Sequence, residues 1–139
     1  MNSYSINELK IDQAAEMTRS VSEGDIYIFA GVTGDFNPVH IDKAFAEKSI
    51  FGGRIAHGML SAGFISAVLG TELPGVGCIY LSQQIKFRAP VEIGDTIRAV
   101  VTVTDINLEK NRVTLKTECI NQDGVIAVDG QAVIMPVKK

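Results

Sequence analysis

Asp35 and His40 stand five residues apart in FAGVTGDFNPVHIDKAFA, residues 29–46, with Asn37-Pro38 between them. A carboxylate and an imidazole are two unlike titrating groups, suited to moving protons around one small molecule. Proline lacks an amide hydrogen and disfavours helix at the preceding residue. Both groups are therefore expected on one irregular loop rather than on a helix face. Loops held by a rigid scaffold often carry such chemistry. This pair is the main reason to expect an enzyme.

The flanking sequence predicts the scaffold. Residues 13–21 alternate enough for a first strand. Ser22, followed three residues later by Asp25, resembles a capping box and opens a short helix over 26–32, stopped near Gly34. Asp42 is placed to cap a short helix over 43–47. Residues 49–54, with Gly52-Gly53, read as a flexible turn. Residues 57–69 are apolar nearly all round, the profile of a helix buried on most sides, and Leu73-Pro74-Gly75 ends that region. The period then changes, predicting strands over 78–87, 96–106, 111–121 and 125–137, with breaks at Pro90, Gly94-Asp95 and Asp123-Gly124. Sequential strands with short turns predict an antiparallel meander. One apolar helix before them predicts a curved sheet wrapped around it, so the expected fold class is α+β.

Composition narrows the function. A length of 139 residues suits a single domain, 1–139, and 46% apolar with 21% charged residues is a globular rather than a disordered balance. A net charge of −3 supplies no basic field, so no nucleic-acid partner is expected. The polar start MNSYSINELK lacks the apolar run of a signal peptide, and no stretch approaches the roughly 20 residues that span a bilayer. A cytoplasmic protein without a membrane partner is expected. Cys78 and Cys119 form no CxxC pair and read as reduced, buried small hydrophobes, with a disulfide between them left open. No GxGxxG or Walker loop appears, and Ser61 in GMLSAG has the wrong spacing for a nucleophile elbow. His40, Asp42 and His57 match no common metal spacing, so neither metal nor cofactor is expected.

The order of elements, with FAGVTGDFNPVH (29–40), AHGML (56–60), KFRAPV (86–91) and Gly94-Asp95, resembles the hot-dog fold and, more narrowly, the MaoC-like (R)-specific enoyl-CoA hydratases. The resemblance covers nearly the whole chain. It implies hydration of trans-2-enoyl-CoA to (R)-3-hydroxyacyl-CoA, an acyl-CoA thioester partner and a homodimer. By resemblance, Asp35 and His40 hold the attacking water, with the formal base left unassigned because coupled groups titrate together. A helix start offers unpaired amides, and Gly58 lets a ligand approach them closely, so Gly58 is expected to donate to the thioester oxygen or to permit tight packing, or both.

Other assignments are looser. Asn37 is expected to fix the loop by bonding nearby backbone. His57 is left between orienting the site, core packing and capping. The resemblance implies that Ser66, Leu69 and Ile134 border an acyl tunnel, with plain core packing left open for Leu69 and Ile134. Arg54, Lys86 and Arg88 are the available cations for the phosphates of coenzyme A. A thioesterase of this fold generally places a carboxylate on the central helix, and residues 57–69 contain none. A carrier-protein dehydratase and a non-catalytic acyl-thioester-binding protein are the remaining alternatives.

Overall fold

The computed structural model describes residues 1–139. Its strands are β1 (Ala14–Ser20), β2 (Ile79–Phe87), β3 (Thr96–Asn107), β4 (Arg112–Ile120) and β5 (Ile126–Met135). Its helices are α1 (Glu23–Thr33), α2 (Pro38–Ile41), α3 (Lys43–Glu47) and α4 (Gly58–Thr71), preceded by a 3-10 turn, Ile6–Glu8.

Local chemistry explains most boundaries. Ser22 Oγ accepts from the Asp25 amide while the Asp25 carboxylate accepts from the Ser22 amide, the expected capping box. Gly34 ends α1 with φ +82°, a left-handed geometry that glycine adopts at no steric cost. Asp42 caps α3 by accepting from the Phe45 amide.

The sheet is antiparallel throughout, in the order β1-β3-β4-β5-β2. The expected meander holds for β3, β4 and β5 but fails for β2, which pairs with β5 at one edge. Residues 88–95 leave β2 with the Arg88 and Ala89 amides on the Ala127 carbonyl, then pass Val91 O to Ala56 N and Gly94 N to Val21 O. They thereby carry the chain to the β1 edge, where β3 begins. Turn residues signalled the break but not the distance crossed.

α4 touches all five strands, so the sheet wraps it in the hot-dog arrangement. Phe64, Ile65, Val68 and Leu69 of α4 meet Ile97, Val101, Val103, Leu115 and Ile134 of the sheet in one apolar core. Burial is less complete than the apolar sequence predicts, because Met59, Gly63 and Ser66 leave one face of α4 open. No helix is long and apolar enough to cross a membrane. Both cysteines are free thiols, and burial pushes Cys119 up to about 12.

Candidate active site

The sequence places Pro38 at the first position of α2, where its missing amide hydrogen costs nothing. This corrects the single-loop expectation. Asp35 lies in the loop after Gly34, but His40 sits on the helical turn that Pro38 opens. Asn37 caps that turn by accepting from the Val39 amide at 3.3 Å, and Asp35 Oδ1 accepts from the Asn37 amide at 3.2 Å. The link is short and braced at both ends.

His40 is 8% exposed, and its Nδ1 lies 2.7 Å from the Ile55 carbonyl, which can only accept. Nδ1 therefore carries the proton. Nε2 has no protein partner and is not among the buried orphan atoms, so its lone pair is left for the cavity. Burial, then the neighbouring His57, holds the His40 imidazolium below its ordinary 6.5, against the opposing pull of Asp35 and the Ile55 carbonyl. Folding thus favours neutral His40. The unfolded chain takes up this proton more readily, so stability from this group is fully present above about 6.5 and is lost as pH falls through the lower folded value.

One ligating atom from each of Asp35, His40 and His57 falls within 4.8 Å of the others. By residue type the trio matches donors for a divalent cation, whereas Asp42, set aside with the two histidines on spacing, is engaged at α3. However, His40 Nδ1 and His57 Nε2 are committed to backbone carbonyls. Only one nitrogen of each ring is left to approach a ligand.

These groups open on a cavity of about 640 Å³. Its walls include Phe29, Phe51, Met59, Phe87 and Val128, with Asp35 and His40 as its polar side and Gly58 at the start of α4. The Gly58 amide at this helix start donates to no acceptor within the chain. A Cβ on Gly58 would stand 2.6 Å from two atoms of the Phe87 ring, so tight packing and a free amide coincide at this residue.

Several expected residues lie elsewhere. Ser66 is exposed outside the cavity, and Ser61 is the α4 serine that lines it. Leu69 and Ile134, 1% and 0% exposed, belong to the core cluster rather than to the lining, which favours their packing role. Arg54 turns inward: Nε donates to the His40 carbonyl at 2.7 Å, and a terminal nitrogen pairs with Glu23 at 2.6 Å. Its cationic face also lies against Tyr27, so Arg54 braces α2 rather than waiting for a phosphate.

Arg88 lines the main cavity and also a polar hollow of about 250 Å³ shared with Lys86 and Lys116. Lys116 was not predicted. Only the pairing of β4 with β5 and of β5 with β2 brings it to the same hollow as Lys86, with β5 between them. The apolar lining from Phe51 and Met59 was also missed, since one lies in a segment read as a turn and the other in a helix read as core.

Comparison with known proteins identifies the family. The chain is 52% identical to an (R)-specific enoyl-CoA hydratase of Rhodospirillum rubrum, covering 92% of this chain and 88% of that one. It is 43% identical to a 3-hydroxybutyryl-CoA dehydratase of Methylorubrum extorquens, over 95% of this chain and 83% of the relative. The unliganded R-hydratase PhaJ1 of Pseudomonas aeruginosa superposes with a TM-score of 0.93 at 46% identity, covering 99% of this chain and 88% of that one. The model of the MaoC like domain matches residues 6–123, spanning the Asp35–His40 pair, the Gly58 helix start and most of the sheet. With a family match over most of the chain, high identity to a relative and a shared fold, the chain belongs to the MaoC-like domain family.

Proposed function

We propose that this chain is a hydro-lyase that adds water reversibly across short-chain trans-2-enoyl-CoA to give (R)-3-hydroxyacyl-CoA. The observation that carries this reading is the convergence of Asp35, His40 and the Gly58 amide on one largely apolar cavity. Water held between the Asp35 carboxylate and the His40 Nε2 loses a proton as its oxygen attacks the β-carbon. A proton is delivered to the α-carbon from the same pair, so addition is confined to one face. Negative charge building on the thioester oxygen meets the Gly58 N–H. Acyl length is set by the apolar lining, with Leu69 and Ile134 behind it as core.

The primary test is the loss of enoyl absorbance with crotonyl-CoA and longer homologues, with the handedness of the product alcohol determined. Absence of hydration, or an (S) product, overturns the reading. Hydration of carrier-protein thioesters alone would transfer the activity to the dehydratase alternative, because the two reactions are one equilibrium approached from opposite sides.

Neutral His40 is required for this chemistry. As His40 lies below 6.5, kcat/KM should stay flat on descending towards that pH and fall only below it. A pH–rate profile with its acid limb above 6.5 would contradict the assignment.

Arg88, Lys86 and Lys116 are proposed to receive the phosphates of coenzyme A, since Arg88 links their hollow to the cavity and, though paired with Asp129 at 3.2 Å, stays half exposed where the Arg54 side chain is largely buried. Arg88→Ala should raise KM for crotonyl-CoA several-fold with little change in kcat, an effect that fades with added salt. Arg54→Ala should instead lower thermal stability and kcat without a salt-dependent KM. The reverse pattern would exchange the two roles.

A homodimer is proposed because β2 has a neighbour on one side only and exposes Ile79, Tyr80, Leu81 and Phe87. Light scattering should give twice the mass of one chain. The free cysteines suit a reducing compartment, so the cytoplasm is the proposed location.

A further inference from the structure

We propose that His57 is a positioning residue that holds both members of the Asp35–His40 pair in register with the Gly58 amide. The proposal rests on the hydratase reading and names a residue beyond the pair. His57 occupies the N-cap position of α4, yet its side chain makes no capping hydrogen bond. It is 2% exposed and points away from solvent. Its Nε2 lies 2.9 Å from the backbone carbonyl of Asp35, which can only accept, so Nε2 carries the proton.

Nδ1 is buried without a partner. A bare lone pair there costs less than an unsatisfied N–H, which agrees with the same tautomer. The ring face stacks on His40 with centroids 3.9 Å apart and planes 30° apart, and Phe29 backs it at 4.7 Å.

One rigid side chain therefore touches the backbone of the carboxylate residue and the ring of the imidazole residue. It belongs to the residue immediately before Gly58. A shift of the α4 start would carry the oxyanion donor and the water-holding pair together, keeping the distances between them. The loop itself cannot do this, because Thr33 and Asn37, its other braces to Asp35, are both local in sequence.

Three variants separate positioning from packing. His57→Phe keeps the ring and removes the donor, so kcat for crotonyl-CoA should fall about 10²-fold with KM nearly unchanged, the cost typical of displacing reacting groups by about 1 Å. His57→Gln can place an amide N–H near the lost Nε2 and should recover most of the rate. His57→Asn, one methylene shorter, should not. Thermal unfolding of each variant is measured alongside, and if the Phe variant fails to fold, the Gln–Asn comparison decides.

Equal rates for folded Gln and Asn variants, or a folded Phe variant with wild-type kcat, overturn the proposal. Nitrogen-15 NMR of the wild-type protein gives a readout independent of substrate. A proton on Nε2 of His57 supports the proposed geometry, and a proton on Nδ1 overturns it. Failure of the wild-type protein to hydrate crotonyl-CoA would sink the hydratase reading instead, leaving the tautomer to decide whether His57 holds the Asp35 loop.

Discussion

Asp35→Asn and His40→Gln should each slow crotonyl-CoA hydration by roughly 10²–10⁴-fold, the usual worth of positioned acid–base groups. The two losses have different structural costs. Asp35 is exposed, and its only hydrogen bond as a side chain is with the Asn37 amide, which an asparagine oxygen can still accept. Asp35→Asn should therefore fold like the parent chain. His40 is buried and donates to the Ile55 carbonyl, so His40→Gln should also destabilise the chain by about 1–3 kcal/mol if that acceptor is stranded.

Because both residues are assigned to one water, the double variant should be scarcely slower than the worse single variant. Rates from enoyl absorbance, with circular dichroism to verify folding, decide the matter. Multiplying losses would mean that the two groups act on separate steps. Near-wild-type turnover by either single variant would remove the shared-water assignment.

Gly58→Ala is expected to give the second large effect. The new methyl group would overlap the Phe87 ring at 2.6 Å, so either the ring or the start of α4 must move. Phe87 is 54% exposed in the single chain but lies on the β2 edge proposed to meet a second copy, so the stability loss should fall within the ~1–3 kcal/mol typical of overpacking. Catalysis should suffer more, because an oxyanion donor removed from its position costs about 10²–10³ in kcat. Adding Phe87→Leu to Gly58→Ala separates the causes. Recovery of kcat in the double variant would show that helix displacement was responsible. A Gly58→Ala chain with unchanged kcat would remove this amide from the mechanism.

Local physics made much of the architecture legible. The Ser22–Asp25 capping box, Gly34 at the end of α1, Asp42 at the start of α3 and the Asp123-Gly124 turn each act within a few residues. Their consequences follow from the side chains present, and the strand and helix positions were accordingly readable. Pro38 shows the limit of that approach. Its known effect on the preceding residue suggested a loop through His40, while its fitness for the first turn of a helix created α2.

The amino-acid order by itself made most elements and the α+β class readable and supplied the proposed Asp35–His40 pair, because capping, turn chemistry and side-chain type are short-range properties. Tertiary structure decided which groups face one another. It set β2 beside β5, turned Arg54 onto Glu23, brought Lys116 and Lys86 to one hollow, and laid His57 across His40 and the Asp35 carbonyl. These partners meet only when α4 and the sheet close on a shared core. Such encounters depend on the free energy of the whole assembly, which no local spacing encodes.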